Sequence, residues 1–142
     1  MRFTLFFLII SASQLMNSQI LNSHKWEERV VLILSHQNES SKIEEQAALL
    51  LEKKQELSER RLIVYIILNN KYKQINTDTK EWLKNETLNK IYNPNDEAFK
   101  VILIGLDGSI KLNQNSILTP ERLFSTIDGM PMRKQELKNK NN

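Results

Sequence analysis

The sequence predicts an α/β domain: a four-stranded mixed sheet with helices on both faces. Three observations carry that expectation. Runs 30–34 and 62–68 are continuously apolar and β-branched, the pattern of strands buried on both faces. An amphipathic segment separates them, and Asp107-Gly108 joins two further apolar runs as a hairpin turn.

Each element follows from local chemistry. After the first strand, Ser41-Lys-Ile-Glu44 has the spacing of a capping box, with the serine oxygen and the glutamate each satisfying a free N–H. Ile43, Ala47, Leu50, Leu51 and Leu57 then recur near the helical period, predicting one helix over about 41–58. Strand, helix, strand at this spacing is a right-handed parallel crossover. Residues 69–96 are polar, with one helix expected behind Asp78 or Thr79 and with Trp82, Leu83 and Leu88 on its apolar face. Asn93-Pro-Asn-Asp96 is turn chemistry. Strands are expected at 99–104 and 109–112. Thr119-Pro120 opens a helix over 120–128, carrying Leu123, Phe124 and Ile127, which Gly129 and Pro131 end. The order β-α-β-(α)-β-β-α is the thioredoxin-like three-layer topology, with spatial strand order second, first, third, fourth.

At 142 residues the chain has the length of one domain, and neither a repeat nor a linker divides it. Met1-Arg2, the apolar run 3–10 and the small and polar residues 11–19 have the layout of a secretory signal peptide. That run falls short of the roughly 20 apolar residues a membrane span needs. A mature domain over 24–136 and a disordered polar tail over 137–142 are expected, with no membrane span in the mature chain and a periplasmic or secreted location. Removing Arg2 leaves nineteen basic and seventeen acidic residues, a net charge of +2. That mixed charge does not describe a nucleic-acid binder.

Several stretches resemble one family. They are His24-Lys-Trp-Glu-Glu-Arg-Val-Val-Leu32, Glu59-Arg60-Arg61-Leu62, the segment 101–111 with its Gly-Leu-Asp-Gly hairpin, and above all Ile127-Asp-Gly-Met-Pro-Met-Arg133. From about Trp26 to Glu136 the chain resembles the DUF4174 family. These are small, usually exported bacterial proteins, akin to a thioredoxin-like domain in certain vertebrate sushi-repeat and extracellular-matrix proteins. The resemblance implies the same fold and brings no established reaction. One position departs: Leu106 stands where the family usually carries a basic residue, so any basic contact made there is missing.

Absence of cysteine removes thiolate chemistry, disulfides and thiolate metal sites, and two histidines do not make a multi-histidine metal centre. No catalytic residue, metal or cofactor is expected. His36 beside Ser40 and Ser41 reads as a loop histidine near helix caps, and Asp107 as a turn residue. Trp26 and Arg29 read as an edge anchor, the tryptophan packed under the sheet and the arginine bridging a carboxylate. Asn38-Glu-Ser40 and Asn85-Glu-Thr87 match the glycosylation sequon. Residues 128–133 allow two readings. Arg133 suits a helix C-terminus and can pair with Asp128, while Met130 and Met132 around Pro131 make an adaptable apolar contact surface. Candidate binding residues are therefore Arg29, Arg60, Lys111, Asp128, Met130, Met132 and Arg133. The partner expected is another protein or an envelope component. The rival is an enzyme using Arg29, Arg60, Lys111, Asp128 and Arg133 as a polar cluster.

Export has a direct check. Cells expressing the full chain are expected to accumulate a form lacking roughly the first 18–19 residues. Mass spectrometry that finds Met1 intact on the exported protein would contradict the signal peptide.

Overall fold

The computed structural model describes residues 20–36, 40–79 and 81–142. The expected signal segment lies outside them, as does Asn38. Six strands form one mixed sheet: β1 (Arg29–Ser35), β2 (Leu62–Leu68), β3 (Lys71–Gln74), β4 (Leu83–Lys84), β5 (Lys100–Ile104) and β6 (Ile110–Gln114), in the order β4-β3-β2-β1-β5-β6. Only β1 and β2 pair in parallel; every other neighbouring pair is antiparallel. The four expected strands keep their expected order, but the sheet has six strands rather than four. β3 and β4 extend it beyond β2.

Among the described residues, the helices that accompany the sheet include α1 (Ser40–Leu51), α2 (Lys54–Glu59), α3 (Leu88–Tyr92), α4 (Pro120–Asp128) and α5 (Pro131–Lys140). Alternation along the strands sorts the core into two layers. Val31, Ile33, Val64, Val101 and Leu103 face Ile43, Leu50, Leu57, Leu123 and Ile127 from α1, α2 and α4. On the opposite face Val30, Leu32, Tyr65, Ile67 and Ile102 meet Leu88 and Tyr92 of α3, with Ile20 and Leu21. Loops are tied in by side chains that imitate backbone. Gln46 is fully buried and clasps Leu118, its Nε2 donating to the carbonyl at 2.8 Å and its Oε1 accepting the N–H at 2.6 Å. Asn76 accepts from Val64 N–H and donates to Leu62 C=O, continuing the edge of β2.

Four expectations need correction here. The segment 41–58 is two helices, because the ladder tightens where Lys53 N–H bonds Leu50 C=O and a new helix follows. α1 begins at Ser40, so Ser41 lies in its first turn rather than ahead of it. Within 69–96 the expected helix is replaced by β3, β4 and α3. Trp82 and Leu83 are exposed there, and Leu88 alone of the predicted apolar face is buried. Asn85 is buried, its Oδ1 accepting from Thr87 and Leu88 N–H, so this sequon asparagine braces the start of α3. Finally, α5 carries helix to Lys140 where a disordered tail is expected from 137. The Asp-Gly turn forms as expected, with Gly108 at φ +81°, a conformation that side chains resist.

Leu103 is fully buried between β1 and β6. Leu103→Asp places an unpaired charge in a dry core and is expected to abolish cooperative unfolding. An unchanged melting curve would refute that burial.

Candidate functional site

At the end of the sheet where β1 begins, the period-two alternation puts Arg29 on the same face as Val31 and Ile33. Its surroundings come from three helix ends. α2 stops at Glu59, Arg60 caps it, and Arg61 turns the chain into β2 at φ +49°, a backbone region that usually takes glycine. α4 ends at Asp128 with Gly129 as its cap, and Pro131 opens α5 from its first turn.

These ends are joined by ion pairs. Fully buried Arg29 forks onto Glu136, Nη1 at 3.3 Å and Nη2 at 3.2 Å, and Nη1 also donates to Arg60 C=O at 2.9 Å. Arg133 reaches Glu136 at 3.1 Å, Asp128 at 3.3 Å and Glu59 C=O at 3.0 Å. Arg60 grips Asp128 with Nε at 3.0 Å and Nη2 at 2.7 Å, its guanidinium 4.4 Å from the centre of the Phe124 ring. Arg61 also bonds Glu136. Four guanidinium groups thus surround two carboxylates.

Those carboxylates are held ionised. Partial burial opposes charge on Asp128, but hydrogen bonds and charge from Arg60 and Arg133 outweigh it and keep the carboxyl below its ordinary 3.8. For Glu136 burial is likewise outweighed, by hydrogen bonds from Arg61, Arg29 and Arg133 and the charge of Arg29, and the carboxyl lies below 4.5. Acids lowered this way are weak bases at neutral pH, and a guanidinium does not give up its proton. The arrangement therefore cross-links; it is poorly suited to moving protons.

A cleft of about 230 Å³ adjoins the network, lined by Arg29, Leu106, Asp107, Lys111, Met130, Pro131 and Met132. Met130 packs against the core and Met132 is exposed. Lys111 bonds Asp107 at 3.1 Å. Asp107 is a turn residue, and the Ser109 N–H, the Ser109 hydroxyl and Lys111 bring its carboxyl down to about 2. All seven sequence-predicted residues therefore sit at one end of the sheet. Arg29, Arg60, Asp128 and Arg133 share the ion network, while Lys111, Met130 and Met132 join Arg29 around the cleft.

One expectation fails and two partners were missed. Trp26 does not pack under the sheet; it is 57% exposed, its backbone N–H bonds Leu106 C=O, and the Lys25 ammonium lies 5.9 Å from its ring centre. His36 lies 3.8 Å from Asp96, and no hydrogen bond joins it to Ser41. Sequence reasoning missed Glu136 and Arg61. The three-residue spacing of Arg133 and Glu136 on one helix was the available signal. Among the described residues no group of three acidic or histidine side chains is placed to hold a metal ion, and no helix is long and apolar enough to cross a membrane.

The class defined by these features is an α/β domain with a six-stranded open mixed sheet, closed at one end by partly buried ion pairs beside a small apolar cleft. The chain belongs to the DUF4174 family, a domain of unknown function, whose family model matches residues 20–136. Neither a curated protein nor a solved structure matches it.

Glu136→Gln leaves Arg29 buried without its counter-charge and is expected to cost about 3–5 kcal/mol at neutral pH. Lys111→Ala, at a half-exposed pair, is expected to cost about 0–1 kcal/mol. A carboxyl lowered by folding contributes stability that is complete above its ordinary value and is lost as pH falls through the lowered one. The Glu136→Gln deficit is therefore expected to shrink as pH drops below 4.5 and to vanish once Glu136 is protonated in the fold. Urea unfolding across that range reads both, and a deficit that persists in strong acid would remove Glu136 as the hub.

Proposed function

We propose that this chain is an exported binding module of thioredoxin-like architecture that engages another protein or an envelope component through the cleft beside Met130-Pro-Met132. The observation that carries this reading is the cleft itself. Its walls are Leu106, Met130, Pro131 and Met132, and its rim is the Lys111–Asp107 pair. At about 230 Å³ it falls below the roughly 300–1,000 Å³ of pockets that take small molecules, and it suits one inserted side chain. Methionines re-pack around different shapes at little cost, which favours a partner's apolar anchor. Leu106 supports the apolar preference, since the family's usual basic residue would place a charge on that wall.

The thioredoxin-like assignment rests on the parallel β1–β2 crossover, the antiparallel β5–β6 hairpin and the helices on both faces. No cysteine exists to support thiol–disulfide exchange, so the fold serves as a scaffold for recognition.

Met132 is 41% exposed, so Met132→Ser is expected to leave the melting temperature nearly unchanged. Capture of an envelope partner by the immobilised chain is expected to weaken. Capture that is equal for wild type and Met132→Ser would exclude the cleft, and equal loss of capture and stability would leave the segment a structural closure only.

A further inference from the structure

A second groove lies at the opposite edge of the sheet, away from the ion pairs. α1 packs over β1 and β2, but Ala47 and Ala48 are too short to fill the space toward β3. A groove of about 440 Å³ remains, lined chiefly by Ile43, Ala47, Leu51, Ile66, Ile75 and Trp82. Its floor reaches the core, because Ile43, Ile66 and Ile75 are buried. The volume is within the range of small-molecule pockets.

The mouth of this groove is basic. Lys71 and Lys73 place their ammonium groups 4.7 and 4.6 Å from the centre of the Trp82 ring. Register sets Lys84 directly opposite Lys71, a juxtaposition of like charges that weakens strand pairing. No carboxylate pairs with Lys71, Lys73 or Lys84 among the described residues, and Glu44 on the groove wall makes no ion pair. Lysines near a sheet edge also deter sheet extension. That role requires neither an apolar groove reaching the core nor a tryptophan against two ammonium groups. An apolar trough with unneutralised cations at its mouth complements a molecule with a hydrocarbon chain and an anionic head.

We propose that the groove between α1 and β3 binds a single-chain amphipathic carboxylate, its hydrocarbon tail against Ile66 and Ile75 and its carboxylate at Lys71 and Lys73. The chain has two tryptophans, so Trp26→Phe leaves Trp82 as the one reporter. Dodecanoate at monomeric concentration is expected to change its emission saturably. Dodecanol is expected to bind about three- to tenfold more weakly, and dodecyltrimethylammonium more weakly still. Lys71→Gln with Lys73→Gln is expected to bring dodecanoate to the level of dodecanol. Ala48→Phe fills the groove and is expected to abolish the response of all three. A missing or unsaturable response to dodecanoate overturns the proposal. Equal binding of the three probes, or dodecanoate affinity unchanged in the double lysine variant, also overturns it. Should Ala48→Phe fail to fold, the lysine variant, altered only on β3, decides alone.

Discussion

The pairing of Arg29 with Glu136 fixes one end of this molecule. α5 is ten residues long, and Arg133 is its only buried side chain. A helix of that length does not hold itself together in water, and α5 has no apolar face to dock. Its place is set by guanidinium–carboxylate forks linking β1, the end of α2, the end of α4 and α5 itself. Buried ion pairs add little stability compared with a well-packed apolar replacement, but removing one partner is severe. Such a contact specifies position more than it adds strength. That specificity puts Met130, Pro131 and Met132 beside Leu106 and so creates the cleft.

The same constraint explains a local irregularity. Arg61 adopts φ +49° where a helix end ordinarily takes glycine. Glycine would relax the backbone and lose the side chain that bonds Glu136. The site therefore keeps a conformation costing on the order of 1–3 kcal/mol in exchange for a further cation around a carboxylate that burial alone would tend to neutralise.

Legibility in the sequence followed the strength of the physical signal. β1, β2 and β5 are continuous apolar runs, and α4 has both its Thr-Pro start and its Gly stop, so their ends fell within a residue of expectation. β3 offers only Tyr72 as a buried apolar residue among polar neighbours, and β4 is two residues long. Neither can show a period. The break between α1 and α2 falls at Glu52-Lys53 with no glycine or proline to mark it. Within the site, Arg133 and Asp128 were readable because they flank one turn. Arg29 and Glu136 lie 107 positions apart, and only the fold brings them together.

Two solvent-facing features stand at opposite edges of one sheet, and they differ in what built them. The cleft beside β6 is a by-product of electrostatic closure: its walls are loop and helix-start residues held by the arginine network beneath. The groove beside β3 results from small residues at 47 and 48 on a helix that otherwise packs tightly through Ile43, Leu50 and buried Gln46. Arg29 links the first feature to the sheet and Ile66 links the second; both lie on the same face, Arg29 at the start of the parallel pair and Ile66 toward its other end. Acid that protonates Glu136 and Asp128 acts on the first edge through the ion pairs. The second edge has no such network to lose, since its walls are mostly hydrocarbon. An acid titration that remains short of unfolding therefore acts on the two surfaces by different routes: contacts that need the Met130–Met132 segment in place weaken with the network, while at the α1–β3 groove acid neutralises the bound carboxylate itself and leaves the hydrocarbon contacts.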